Sequence, residues 1–257
     1  MKITTVYFSA TYTTHRIVSH LAKRLSEEVI ECDITNDTPT KEIVIPKEEV
    51  LVVGIPVYAG RVPEMAVERI RRFKGEGTPA IAVAVYGNRD YDDALLELSD
   101  LLSDNGFQVI SAGAFIAQHS IFPKVGANRP DEKDYQEMNM FADETKKIFE
   151  MDNKKLLPIH IRGNRPYKIP GSIPIFPSAT KTCKECGKCA KLCPAEAIPL
   201  DHPKEVDETK CIKCGRCIVV CPTQSRKFQG MTYTMASMKF NLAYKERREP
   251  EMFFARY

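Results

Sequence analysis

ITTVYFSATYTTHRIVSHLAKRL, residues 3–25, reads as a strand, a hydroxyl-rich loop and a helix. Residues 3–8 are apolar or β-branched, as expected of a strand covered on both faces. Ile17, Val18, Leu21, Ala22 and Leu25 then recur at helical spacing. Working outward, the alternation continues. Apolar strands are expected at 29–34, 50–55, 80–86 and 107–117, and helices at 63–73, 92–102 and 131–149. Pro63 suits the first turn of its helix, and Asn105-Gly106 is a stop signal for the next. Five apolar strands separated by helices predict an α/β domain with a doubly wound parallel sheet.

The chain has 257 residues, with 37 basic and 34 acidic side chains, nine cysteines and no tryptophan. Its composition is that of a globular protein rather than a disordered or collagen-like one. No apolar run reaches the ~18 residues of a membrane span, and the N-terminus reads as strand and loop rather than signal peptide. A cytoplasmic protein that binds no membrane is therefore expected. Charge is uneven: residues 1–180 carry a net −3, residues 181–227 a net +4 and residues 228–257 a net +2. Leu157, Pro158, Arg162, Gly163, Pro166, Pro170, Gly171, Pro174 and Pro177 lie in a stretch that can continue neither a helix nor a central strand. The expected organisation is a first domain over 1–156, a proline-rich linker over 157–180, a cysteine-rich domain over 181–227 and an extension over 228–257. Met231, Tyr233, Met235, Met238, Phe240, Leu242, Tyr244, Phe253 and Phe254 make that extension too apolar for a free tail. It is expected to pack back on the first domain.

Eight of the nine cysteines form two runs, Cys183-x2-Cys186-x2-Cys189-x3-Cys193-Pro194 and Cys211-x2-Cys214-x2-Cys217-x3-Cys221-Pro222. Each cysteine of the second run lies 28 residues after its counterpart, so the runs are an internal repeat. Zinc sites pair C-x2-C units across longer gaps, and a disulfide framework needs an oxidising compartment. The spacing instead suits [4Fe-4S] cubanes, with three thiolates on a tight turn and the fourth brought from elsewhere. Gly187 and Gly215 permit the turns, and Ile198, Ile212, Ile218, Val219 and Val220 are expected to form an apolar shell. Residues 178–227 resemble the two-[4Fe-4S] modules of bacterial ferredoxins. The resemblance implies a small α+β domain with crossed ligation. One cluster takes Cys183, Cys186, Cys189 and Cys221; the other takes Cys211, Cys214, Cys217 and Cys193. Cys32 stands outside this set and is expected to be structural.

Three loops at strand ends supply the second candidate site. Ser9, Thr11, Tyr12, Thr13 and Thr14 lead into the first helix, where N–H groups and hydroxyls favour an anion; helix capping by the same hydroxyls is the alternative. Pro56, Val57, Tyr58, Ala59 and Gly60 follow the third strand, and Gly87, Asn88, Tyr91 and Asp92 follow the fourth. Ligands of such sheets bind outside the carboxyl ends of the strands, at the switch point. Residues 1–150 resemble the flavodoxin family, with Tyr12 where that family's phosphate loop has glycine. The resemblance implies a flavodoxin-like five-stranded sheet of order 2-1-3-4-5 and an FMN site. The first loop holds the phosphate; Tyr58, with Tyr91 or Tyr86, and the donors of Gly87 and Asn88 face the ring.

Residues 1–227 together resemble a flavodoxin–ferredoxin fusion family of electron carriers. That implies FMN, two [4Fe-4S] clusters and redox partner proteins, with no nucleophile or general acid required. Two alternatives remain open: a flavin-dependent reductase of a small organic substrate, and a ferredoxin whose first domain docks partners without flavin. Gly75-Glu76-Gly77 precedes a strand and so fails as a dinucleotide fingerprint. Arg69, Arg71 and Arg72 are too few for nucleic-acid binding. His15, His20, His160 and His202 are scattered, while His119 follows the fifth strand in Gln118-His119-Ser120, a loop position that leaves a role beside the flavin open. Two thiolate-bound clusters of about −2 each would turn the net +3 into about −1, and FMN phosphate into about −3.

Overall fold

The computed structural model describes residues 1–150 and 156–256. Residues 151–155, which the sequence assigns to the end of the first domain, and Tyr257 lie outside the described residues. The elements run in chain order as β1 (Ile3–Tyr7), α1 (Thr13–Leu25), β2 (Val29–Asp33), β3 (Ile43–Ile45), β4 (Val50–Pro56), α2 (Glu64–Ile70), β5 (Phe73–Gly75), β6 (Thr78–Tyr86), α3 (Ala94–Asp104), β7 (Phe107–Ile116) and α4 (Glu132–Phe149). Then follow β8 (Pro177–Ala179), α5 (Lys188–Lys191), α6 (Arg216–Val219), β9 (Arg226–Phe228), α7 (Met231–Ala243) and β10 (Glu251–Phe254).

The main sheet has the order β10-β7-β6-β4-β1-β2. Its five parallel strands follow the flavodoxin-like order 2-1-3-4-5, and β10 adds an antiparallel sixth at the β7 edge. Central strands are buried because helices cover both faces: β1 is buried at all five positions, Thr4 and Thr5 included. α1 buries Ile17, Val18, Leu21, Ala22 and Leu25. It lies so close to β4 that a Cβ on Gly54 would sit 2.2 Å from Val18 Cγ2. α4 opens with a capping box in which Asp131 and Asp134 each accept the other's backbone N–H. Lys146 and Lys147 close it at the negative end of its dipole.

Two local expectations change. The helix expected over 63–73 ends at Ile70, because Phe73 is buried as the start of β5. β5 pairs with β3 in a separate two-stranded parallel sheet, so the partner that recruits Phe73 is some 30 residues away in sequence. The proline-rich stretch also ends earlier than composition indicates. Pro177–Ala179 forms β8, which pairs antiparallel with β9 and belongs to the cysteine-rich unit.

The C-terminal segment is stitched across the loop after β6. Asn88 Nδ2 donates to the carbonyls of Tyr244 and Glu246 at 3.0 and 2.8 Å. Arg129 Nη1 donates to the Arg248 carbonyl at 2.8 Å. β10 then completes the sheet. Among the described residues no helix is long and apolar enough to cross a membrane.

Candidate functional site

The 28-residue repeat of the cysteines is also a repeat of backbone conformation. Gly187 and Gly215 precede α5 and α6 with φ of 70° and 79°, a left-handed geometry that glycine adopts without penalty. Glu185 and Lys213 match at 53° and 56°, and Glu196 and Gln224 at 50° and 51°. The Ala197 N–H donates to Cys193 Sγ at 3.3 Å, and its equivalent, the Ser225 N–H, donates to Cys221 Sγ at 3.2 Å. Each run is one copy of the same thiol-presenting turn.

Cys193, Cys211, Cys214 and Cys217 line one small apolar cavity with Ile198, Val206 and Ile212. Three of these thiols come from the second run and one from the first, so the crossed set predicted for one cubane shares a chamber. At the other end, Thr182 Oγ1 lies 2.9 Å from Ser225 Oγ. This bond ties the start of the first run, ahead of Cys183, to the turn after Cys221. Among the described residues no three His, Cys, Asp or Glu side chains converge as ligands of a single ion would. A cubane gives each thiolate its own iron, which keeps its ligands apart. The donor set and the apolar wall therefore fit a [4Fe-4S] group. Burial pushes the Cys214 thiol up to about 12. It does the same at Cys217, where nearby Arg226 pulls the other way. Such thiols bind metal by releasing protons to it. Ile198 and Val220 are buried among the ligands, whereas Val219, expected in the shell, is 48% exposed.

Two connected cavities lie over the carboxyl ends of the parallel strands. The smaller is lined by Thr11, Thr13, Thr14, Pro56, Val57, Tyr58, Gly87 and His119. The larger, of about 480 Å³, takes in Val57, Tyr58, Ala59, Gly60, Gly87 and His119 and extends to Phe122, Phe240 and Cys211. In the loop before α1, Ser9 Oγ caps the His15 N–H at 3.0 Å, while Thr11 Oγ1 and Thr13 Oγ1 stand 3.2 Å apart at the cavity wall, at the helix end that favours an anion. Threonine hydroxyls on the smaller cavity and aromatic side chains on the larger, with Val57, Tyr58, Gly87 and His119 in both walls, are a donor set and lining that fit a flavin mononucleotide.

Of the residues expected to touch the flavin, Thr11, Thr13, Thr14, Pro56, Val57, Tyr58, Ala59, Gly60 and Gly87 line these cavities. Five do not. Ser9 is buried, and its Oγ accepts the His15 N–H at 3.0 Å. Tyr12 takes the left-handed conformation, φ 65°, and turns outward against the Arg216 guanidinium, 4.6 Å from its ring centroid. Asn88 spends its amide on the C-terminal segment. Tyr91 is fully buried, with its hydroxyl donating to Glu251 at 2.7 Å and accepting from Arg162 at 3.0 Å. Asp92 is ion-paired with Arg89 and Lys168.

His119 is the main residue that the site list from sequence lacked. It lines both cavities and packs on Phe122 and Phe240. Its Nδ1 accepts the Ile121 and Phe122 N–H groups at 3.1 and 3.2 Å, so the proton of the neutral ring sits on Nε2. Burial, helped by Arg89, holds its pKa at about 4, and the ring is neutral at physiological pH. Its position just past the fifth parallel strand was the available signal. Pro170–Ile173 and Phe240 reach the cavity through long-range packing that no local pattern announces.

The two sites meet. Cys211, Ile212 and Lys213 form one wall of the larger cavity. Burial, with Cys214 close by, raises the Tyr58 pKa well above its ordinary value. A Cβ on Gly215 would lie 3.4 Å from Thr11 Cγ2. The chamber of four thiols is thus adjacent to the phosphate loop and to the aromatic cavity.

Residues 182–225 match the family described as a 4Fe-4S dicluster domain. Similar solved structures include a flavodoxin from the domain Archaea, at 15% identity and a TM-score of 0.41, covering 59% of this chain and 100% of that one. A Streptococcus pneumoniae TIGR4 flavodoxin is 16% identical, with a TM-score of 0.40, covering 58% and 99%. A Fusobacterium nucleatum flavodoxin bound to flavin mononucleotide is 15% identical, with a TM-score of 0.38, covering 57% and 98%. No curated protein matches the chain. The chain joins an α/β domain of strand order 2-1-3-4-5 to a segment that matches the 4Fe-4S dicluster family.

Proposed function

We propose that the protein carries electrons between FMN and two [4Fe-4S] clusters, and between these groups and a redox partner protein. The observation that carries this reading is the shared wall: Cys211 belongs both to the four-thiol chamber and to the aromatic cavity. When bound, a flavin exchanges electrons in pairs or singly and a cluster exchanges one at a time, so the combination can split or collect electron pairs.

The chain's own residues position and shield these groups. Thr11, Thr13 and Thr14 would hold the phosphate, and Tyr58 would pack against the ring on the side of the second cysteine run. His119 would present a fixed Nε2–H donor that does not change charge near neutrality. Cys193, Cys211, Cys214 and Cys217 would ligate the inner cluster. Cys183, Cys186, Cys189 and Cys221 would ligate the outer one, where Cys186 is exposed and open to a partner.

Protein purified without oxygen should contain about eight irons and one FMN per chain. About four irons would refute two clusters. Failure to take up FMN on reconstitution would turn the reading to a ferredoxin with a docking domain.

A further inference from the structure

A buried positive charge needs a negative partner, because desolvating it alone costs several kcal/mol. Four arginines are buried among the described residues: Arg69, Arg129, Arg216 and Arg226. Arg129 pairs with Asp134. Arg69 lies against the carbonyls of Ile34, Thr35 and Pro194. Arg216 and Arg226 have no carboxylate partner among the described residues, and each keeps a buried Nε–H with no acceptor. Only one other buried side-chain polar atom there is orphaned, Asn241 Oδ1 on α7.

Only one of the two orphaned guanidiniums, Arg216, stands in the chamber of four thiols. Arg216 lies between Cys214 and Cys217 and lines their chamber. It is pinned on its far side, where Nη1 donates to the Ala10 and Ser9 carbonyls at 3.2 and 3.5 Å. Arg226 is 2% exposed and is held by the carbonyls of Pro203, Glu205 and Pro177. The Pro203 carbonyl that it holds lies 3.9 Å from Cys189 Sγ, and the N–H of its neighbour Ser225 donates to Cys221 Sγ, so Arg226 sits beside the outer set of ligands. The repeat supplies an internal comparison. Counting back 28 residues, the counterpart of Arg216 is the exposed Lys188, and that of Arg226 is the apolar Ile198. The first run therefore has no buried cation at either equivalent position.

We propose that Arg216 is the counter-charge of the cluster at Cys193, Cys211, Cys214 and Cys217, and that it holds that cluster's reduction potential above that of the outer cluster. Reduction adds one negative charge to a buried group, which burial disfavours and an adjacent guanidinium favours. Electrons entering at the exposed Cys186 end would then collect beside the aromatic cavity. Through Arg216 the same charge also touches the loop before α1, so the inner cluster and the phosphate site share a residue. The inference rests on the two-cluster reading above, but not on FMN.

The test is an anaerobic EPR redox titration of the whole protein and of Arg216→Gln and Arg216→Lys, each assayed for iron. Arg216→Gln should lower the higher midpoint by about tenfold in the reduction equilibrium, about 59 mV for one electron. The lower midpoint should stay in place, and Arg216→Lys should retain most of the difference. If Arg216→Gln loses the inner cluster and Arg216→Lys regains it, the counter-charge role also stands. Unchanged midpoints at full iron content would overturn the proposal, as would loss of the cluster in both Arg216 variants. An iron content of about four per chain in the unaltered protein would instead remove the two-cluster reading on which it rests.

Discussion

Cys193→Ser is expected to lose the cluster whose other three ligands lie in the second cysteine run, not the one in its own run. Iron should fall from about eight to about four per chain, and the EPR signal that remains should be that of the outer cluster. The reason is geometric. Cys193 lines the chamber of Cys211, Cys214 and Cys217, all three of which lie far along the chain from it. A serine hydroxyl there stays protonated at neutral pH and cannot replace the thiolate. Cys183→Ser should lose the outer cluster and keep the inner one. If ligation followed sequence rather than space, Cys193→Ser and Cys183→Ser would delete the same signal.

The second large effect is on stability. Arg129 and Asp134 are 5% and 1% exposed at their side chains and form a bidentate pair, with Arg129 Nε donating to Asp134 Oδ2 at 2.9 Å. Arg129 also donates to Asn88 Oδ1 at 3.2 Å and to the Arg248 carbonyl. One guanidinium thereby joins the start of α4, the loop after β6 and the segment leading to β10. Arg129→Met leaves Asp134 buried with Arg247 as its remaining cation, at 3.0 Å. Breaking a buried pair from one side costs about 3–5 kcal/mol, and Arg247 places this case near the lower figure. Urea unfolding should show a loss of about 3 kcal/mol. Hydrogen exchange should show β10 losing protection before the parallel strands do. A loss below about 1 kcal/mol would mean that the pair behaves as a surface ion pair.

What the sequence announced, and what it hid, follows from the range of the interactions. The central parallel strands were legible as apolar runs set by their own burial, as at residues 50–55, whereas β2, VIECD, is an edge strand with no buried position. The cysteine repeat was legible because one turn chemistry is written twice, and the φ values of Glu185 and Lys213 follow the same period. Phe73 was misread as helical because its strand partner, Ile43, is distant and the residues around it fit a helix. Asn88 and Tyr91 sit in the expected loop, yet their polar groups answer to Tyr244, Glu246 and Glu251, more than 150 residues on. Tyr12 looked like a defect in a glycine position. It adopts the glycine's conformation, and its ring packs against Arg216 of the other domain. His119 needed the fold before its two accepting bonds and its place in both cavities could be seen.

The most direct test of the account is a stopped-flow measurement of flavin reduction by a reduced ferredoxin, a donor too large to enter the cavity. In the FMN-loaded protein the flavin should be reduced through the clusters. In Cys193→Ser, with FMN still stoichiometric, the rate should fall by about tenfold or more, the equivalent of at least about 1.4 kcal/mol in barrier. Equal rates in the two proteins would contradict an electron path through the inner cluster.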